Sequence, residues 1–290
     1  MVATWSARYL DRDRLRREVQ CLAECFVEAL LDSIPRPEVR GVYLKGSAKK
    51  RWESPIDYVP EISDVDMHVW FIEDDSWRRH LGTVSQALEV QRKVELRYRS
   101  EVSQPLHEPR PQLILMNKLM TELDGFVFSP RRTVQVLYGE DYPAGDYSNP
   151  DRIRRGDCGR LIEDEEYLGK LPLQVVDKPG RYLWESMRAL VWRVSPIGPR
   201  VLHISGVGTE EAWSQNRTRA VSMLRDLGHG SLADGYTRFY LSAWDYFLSG
   251  FKDTDAGRSA IGAAAQALTE GAEVARGWLA AHPAGAADGE

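Results

Sequence analysis

Residues 64–72 read Asp-Val-Asp-Met-His-Val-Trp-Phe-Ile. As a strand, this segment puts Val65, Met67, Val69 and Phe71 on one side and Asp64, Asp66, His68 and Trp70 on the other. A face made only of large apolar side chains has to be covered, so the chain must build a sheet with at least one layer packed on it. The flanking sequence supplies candidates for both. Residues 8–33 repeat Leu15, Val19, Leu22, Phe26 and Leu30 at three- and four-residue spacing, which predicts an amphipathic helix stopped by Pro35 and Pro37. Val42-Tyr43-Leu44 predicts a short strand running into Gly46-Ser47, with Ala48 to Trp52 a short helix and Pro55 to Pro60 a loop. A helix from about Asp75 would carry Trp77, Leu81, Val84 and Leu88 on one stripe. Val94, Leu96 and Tyr98 alternate with Glu95, Arg97 and Arg99, which fits a further strand or a continuation of that helix. Leu113–Met116 is a third candidate strand and Val134–Leu137 a short element before Tyr138-Gly139.

The texture changes after about residue 145. Asp146 to Gly159 is polar and rich in turn formers and reads as a linker. Helical periodicity then covers roughly 181–194, 210–227, 232–248 and 256–281, and the tail from His282 is expected to fray. Between the first two of these helices, residues 195–208 mix Pro and Gly with apolar residues; they read as a shaped connector, with Arg200 lining a cleft as the alternative. The expected fold class is α+β, with a small mixed β-sheet domain over residues 1–145 followed by an α-helical domain over 146–290.

The 290 residues, 43% of them hydrophobic, suffice for two cores. A net charge of −5 argues against a general nucleic-acid binder, and no stable nucleic-acid complex is expected. No apolar run is long enough to span a bilayer and the first ten residues are too polar for a signal peptide, so the expectation is a cytoplasmic protein with no membrane association. Cys21 and Cys25 share a helix face without further Cys or His nearby, which favours reduced core thiols over metal ligation.

Chemistry concentrates between Gly41 and Phe71. An apolar strand ends in Gly46-Ser47, sixteen residues intervene, and Ser63-Asp64-Val65-Asp66 opens the alternating strand. Glycine lets backbone amides approach phosphate oxygens, Ser47 can add its hydroxyl, and two carboxylates two residues apart on a strand share one side, where they can hold a hard cation such as Mg²⁺. Lys45, Lys49, Lys50 and Arg51 form a basic cluster fit for a triphosphate, or simply a solvated surface.

This segment resembles the nucleotidyltransferase superfamily typified by DNA polymerase beta and the small-molecule antibiotic nucleotidyltransferases. The resemblance rests on Tyr43-Leu44-Lys45-Gly46-Ser47 and Ser63-Asp64-Val65-Asp66-Met67, covers about residues 40–140, and extends loosely to the acceptor-side domain of aminoglycoside adenylyltransferases. It implies that Gly46, Ser47, Lys49 and Lys50 bind the nucleotide, that Asp64 and Asp66 hold Mg²⁺, and that Arg92-Lys93-Val94-Glu95-Leu96 supplies a third carboxylate, Glu95, as metal ligand or base. The implied substrates are a nucleoside triphosphate, with ATP expected, and a small aminoglycoside-like molecule whose hydroxyl accepts the nucleoside monophosphate as pyrophosphate leaves. Gln112 is the alternative occupant of the third-acid position. In that case the chain would be a catalytically impaired binder of nucleotide or of a partner; transfer to tRNA or protein is a further alternative. His68 shares the Asp64/Asp66 face, and a structural role suits it better than a site role.

Overall fold

The computed structural model describes residues 3–122 and 126–283. Among the described residues the chain divides into two compact units, one formed by Trp5–Arg51 and Ser63–Gly145, the other by residues 3–4, Trp52–Ile62 and 146–283.

The first unit is a four-stranded mixed sheet with helices. Its elements are α1 (Arg12–Leu31), β1 (Val39–Lys45), α2 (Gly46–Lys49), β2 (Val65–Phe71), α3 (Ser76–Leu81), α4 (Val84–Glu101), β3 (Pro111–Leu115), α5 (Met116–Glu122) and β4 (Gln135–Gly139). The strand order is β3-β2-β1-β4. β1 is antiparallel to both β2 and β4, whereas β2 and β3 are parallel. A parallel pair needs a crossover rather than a hairpin, and α3 and α4 lie in that connection.

The alternation read in residues 64–72 is the alternation observed. Val65, Met67, Val69 and Phe71 are all fully buried. The buried stripe of α1 is Leu15, Val19, Leu22, Phe26 and Leu30, and Asp11 caps that helix by accepting from the Arg14 amide at 2.6 Å. On the other side of the sheet Tyr43, Met116 and Tyr142 form a second cluster, joined by Trp70, Phe128 and Val134. Cys21 and Cys25 are free thiols on α1, and burial pushes Cys25 up to about 12.

Two expectations are corrected here. The segment around Glu95 is not a strand: Val94–Arg99 lies inside α4, whose buried residues are Val90, Val94 and Tyr98, a four-residue repeat. Thr83 starts this helix with a capping box, its hydroxyl accepting from the Gln86 amide while Gln86 Oε1 accepts from the Thr83 amide. That restart resets the helical phase after Gly82. Trp77 and Leu81 therefore belong to α3 alone, and Val84 and Leu88 are exposed at 77% and 59%.

The second unit contains α6 (Pro150–Glu166), α7 (Leu171–Val176), α8 (Leu183–Val194), α9 (Ile197–Ile204), α10 (Thr209–Ser214), α11 (Arg217–Asp226), α12 (Gly230–Leu248) and α13 (Thr254–Ala281). The stretch expected as a linker is largely α6, with Pro150 in the first turn and Asn149 accepting from the Arg152 amide at 2.9 Å. The expected connector at 195–208 contains α9; Pro196 precedes it and Pro199 sits in its first turn, where no intrahelical N–H bond is lost. Ala260, Ala263, Ala264, Ala267, Ala272 and Ala275, with Gly257 and Gly271, are the buried small residues of α13. The tail expected to fray lies, from residue 284, outside the described residues. No helix among the described residues is long and apolar enough to cross a membrane.

The excursion Trp52–Ile62 is built into this helical unit by its polar groups. Buried Asp57 accepts from the amides of Glu53, Ser54 and Thr218 and from the Thr218 hydroxyl, at 2.7–3.0 Å. Arg217 donates to Ile56 O at 2.9 Å, Trp244 Nε1 to Pro55 O at 2.8 Å, and Arg188 to Glu61 O and Ile62 O at 3.1 and 2.9 Å. Trp52 stacks on Tyr58 at 4.5 Å.

At the far end of β2, Asn117 accepts from the Phe71 amide at 2.9 Å and donates to Phe71 O at 3.2 Å and to Asp74 at 2.8 Å. Asn117→Ala leaves the buried Phe71 amide without its acceptor and is expected to cost about 2 kcal/mol, read as a lower urea midpoint at unchanged slope.

Candidate functional site

The antiparallel register of β1 and β2 pairs Lys45 with Asp66 and Tyr43 with His68. The Gly-Ser turn that follows Lys45 is thereby set against Asp66. Gly46 has φ +71°, in the left-handed region that glycine tolerates, and a methyl group built on it would lie 1.9 Å from Asp66 Oδ2. Both the backbone conformation and the neighbouring carboxylate therefore demand glycine at this position. Ser47 follows in the short turn α2, where the Lys50 amide donates back to Gly46 O at 3.1 Å.

Asp64 immediately precedes β2. Its Oδ1 accepts from Arg110 Nε at 2.8 Å and lies 2.7 Å from Arg110 Nη2, so two guanidinium nitrogens meet this oxygen. The Val65 amide also donates to Arg110 O at 3.0 Å, which fixes the residue that leads into β3. The parallel register then places Gln112 opposite Asp66. Lys45, Asp66 and Gln112 thus form one row across three adjacent strands.

Lys45 donates from Nζ to Ser129 Oγ at 2.7 Å. Burial holds its pKa below the usual lysine value, while Asp66 pulls the other way by favouring the ammonium. One step deeper in the sheet, His68 is buried and its Nδ1 has no hydrogen-bond partner among the described residues. Its pKa is driven well below the ordinary histidine value, first by burial and then by the Lys45 charge. His68 is therefore a neutral residue of the layer beneath the row; its ring lies 6.5 Å from that of Tyr142.

The remaining expected residues fall differently. The carbonyls of Lys49 and Lys50 accept from Arg16 Nη2 and Nη1 at 3.3 and 3.2 Å, so α1 holds the α2 turn by its backbone. Lys49 lines an open cleft of about 540 Å³ with Arg16 and Arg17 as well as Asp13 and Glu24. Glu95 is on α4 and pairs with its own helix, accepting from Gln91 Nε2 at 3.1 Å and standing 2.8 Å from Arg99 Nη2. Among the described residues no group of three or more His, Cys, Asp or Glu side chains could hold a metal ion.

No family model, curated protein or solved structure matches this chain.

Asp64 and Asp66 fit Mg²⁺ of one kind. That ion is commonly held by one or two carboxylates together with substrate phosphates, and Asp66 beside the glycine turn, with Asp64 at the head of the same strand, is a donor set of that chemistry. They do not make a self-sufficient protein cage. Sequence reasoning missed Arg110 and Ser129, because each meets its partner only through strand pairing or a long connection. Gln112, weighed as an alternative, is the residue that shares Asp66's register.

Elsewhere in the chain, His203 resembles a catalytic base in its partners alone. Its Nδ1 lies 2.8 Å from Asp157 Oδ2 and its Nε2 2.9 Å from Thr209 Oγ1. His203 is fully buried and Thr209 and Asp157 nearly so, which makes this a core polar network. Arg200, the alternative cleft residue of the sequence reading, belongs to the same network and donates to Asp164 at 2.8 Å.

Gly46→Ala would force a side chain into left-handed backbone and into the Asp66 carboxylate. A loss of about 2 kcal/mol or more is expected, measured by chemical denaturation, while Gly228→Ala, which meets open space at φ +88°, should cost less.

Proposed function

We propose that the sheet unit binds a nucleoside triphosphate together with Mg²⁺ at a nucleotidyltransferase-type site. The single observation that carries this reading is the packing of Gly46 against Asp66. The glycine turn and Asp66, which lies two residues beyond Asp64, are far apart in sequence and adjacent in space. The Gly46-Ser47 turn would offer backbone amides and a hydroxyl to the outer phosphates, as a turn of small residues does for anions. Lys45, already held beside Asp66, would meet the phosphate charge. Asp64 and Asp66 would hold the magnesium ion, whose role when bound is to neutralise phosphate charge. Arg110 would exchange its bond to Asp64 for the incoming phosphates, since a guanidinium binds either anion well.

The register of Gln112 with Asp66 favours binding over turnover. A carboxamide supplies a neutral oxygen, and it can neither take a proton from an acceptor hydroxyl nor add the third negative charge to the ion. Glu95, paired with Gln91 and Arg99 on α4, gives no support to its expected role as base. Transfer of a nucleoside monophosphate to a hydroxyl of a small aminoglycoside-like molecule is the second reading. What favours it is that Asp66 lies against the glycine turn and Asp64 leads into the same strand, so that only the base would have to come from elsewhere.

Calorimetric titration with ATP and Mg²⁺ tests the first reading. Asp64→Ala combined with Asp66→Ala is expected to weaken Mg-ATP by about tenfold or more; equal affinity in the double variant would overturn the site. Gln112→Glu separates the two readings: release of labelled pyrophosphate from γ-labelled ATP should rise in that variant over the parent chain. Glu95→Gln should leave both affinity and pyrophosphate release unchanged.

A further inference from the structure

The face of the sheet turned away from Asp66 and Gln112 carries a cavity of about 720 Å³. It lies wholly within the sheet unit, between α1, α3, α4 and β3, and falls in the 300–1,000 Å³ range typical of small-molecule sites. Leu113 lines it because it alternates with Gln112 along β3. Leu22 and Phe26 of α1, Trp77 of α3 and Val94 of α4 supply further apolar wall. Part of the wall is charged. Glu95, Arg99 and Glu108 line the cavity together, with Arg99 Nη2 2.8 Å from Glu95 and 3.9 Å from Glu108. Two carboxylates share one guanidinium, so this end carries a net negative charge. Tyr98 is another wall residue; its hydroxyl is buried and has no hydrogen-bond partner among the described residues. Burial raises its pKa, and Glu18 and Glu108 raise it further, which puts the hydroxyl within the field of the same acidic end.

We infer that this cavity binds a small amphiphile with an apolar body and a protonated amine at one end. The body is matched by Leu22, Phe26, Trp77, Val94 and Leu113, and the ammonium by the carboxylates of Glu95 and Glu108. A ligand ending in carboxylate or phosphate would meet two like charges against a single arginine already shared between them. A neutral alcohol would fill the same space but forgo the ion pairs, which at a solvent-reached rim are modest and still discriminating. The assignment is independent of the proposed nucleotide site, which uses the opposite face of the strands.

Three probes of equal chain length, decylamine, decanol and decanoate, test it by calorimetric titration below their aggregation concentrations. Decylamine is expected to saturate at one per chain and to bind about tenfold or more tighter than decanoate. Glu95→Gln combined with Glu108→Gln, both at partly exposed positions, should erase that difference. Ala87→Trp, at an exposed wall position, should weaken all three probes by about tenfold at an unchanged unfolding midpoint. Decanoate binding as tightly as the amine would overturn the inference, as would a preference that survives the double glutamine variant. Undiminished binding in Ala87→Trp would place the probe elsewhere. A dimer in sedimentation that excludes the probe would identify the cavity as an interface between copies of this chain.

Discussion

The pairing of Lys45 with Asp66 across β1 and β2 is the constraint on which the sheet unit depends. It decides which ends of two strands meet, and therefore that a glycine turn abuts a carboxylate. Side chains alternate along a strand, so a slip of one residue would turn Asp66 into the apolar face and Met67 out of it. Val65, Met67, Val69 and Phe71, all without exposed surface, hold the register from below. The ammonium of Lys45, costly where burial disfavours it, is stabilised by the carboxylate it faces. Apolar burial on one face thus fixes electrostatics on the other.

The alternation of residues 64–72 could be read in the sequence because each of its side chains reports its own face. The helix α1 was legible for the same reason, through Leu15, Val19, Leu22, Phe26 and Leu30. Glu95 was not. Val94, Leu96 and Tyr98 alternate, yet Val90, Val94 and Tyr98 also repeat at helical spacing, and short apolar runs satisfy both periods. The capping box at Thr83 and Gln86 decides between them, and it does so by local hydrogen bonds that hydrophobic pattern does not record. In the helical unit α6 was hidden because acidic residues serve on its buried side. Asp157 and Asp164 look like solvent-facing residues until His203 and Arg200, some forty residues on, are brought to them.

The row Lys45–Asp66–Gln112 was half legible. The aspartates and Gly46-Ser47 sit close in sequence, and each residue type has its own chemical reason. The third member depends on a parallel pairing formed only after α3 and α4 have crossed over, a contact that no local pattern encodes. Arg110 comes to Asp64 by the same crossover. The sixteen-residue gap has its explanation in the hydrogen bonds of Asp57, Ser54 and Thr218. Trp52–Ile62 is a folded part of the helical unit, and its two ends are joined covalently to the Gly46 turn and to Asp64.

Glu95 and Gln112 show how one sheet divides chemistry between its faces. Adjacent residues on β3, Gln112 and Leu113, turn to opposite sides, and with them go two unlike environments. One side has carboxylates, a desolvated lysine and an arginine, a set suited to an anion that arrives with its own cation. The other has leucine, phenylalanine and tryptophan walls ending in Glu95, Glu108 and Arg99. Taking Glu95 out of the polar row removes the candidate base from that row, and the same helix places it at the acidic end of the apolar cavity. Both consequences follow from α4 being a helix: a strand there would have had to join the sheet, whereas the helix packs on α1 and leaves β3 as an edge. The secondary structure of one eighteen-residue segment therefore bears on which chemistry each face can perform.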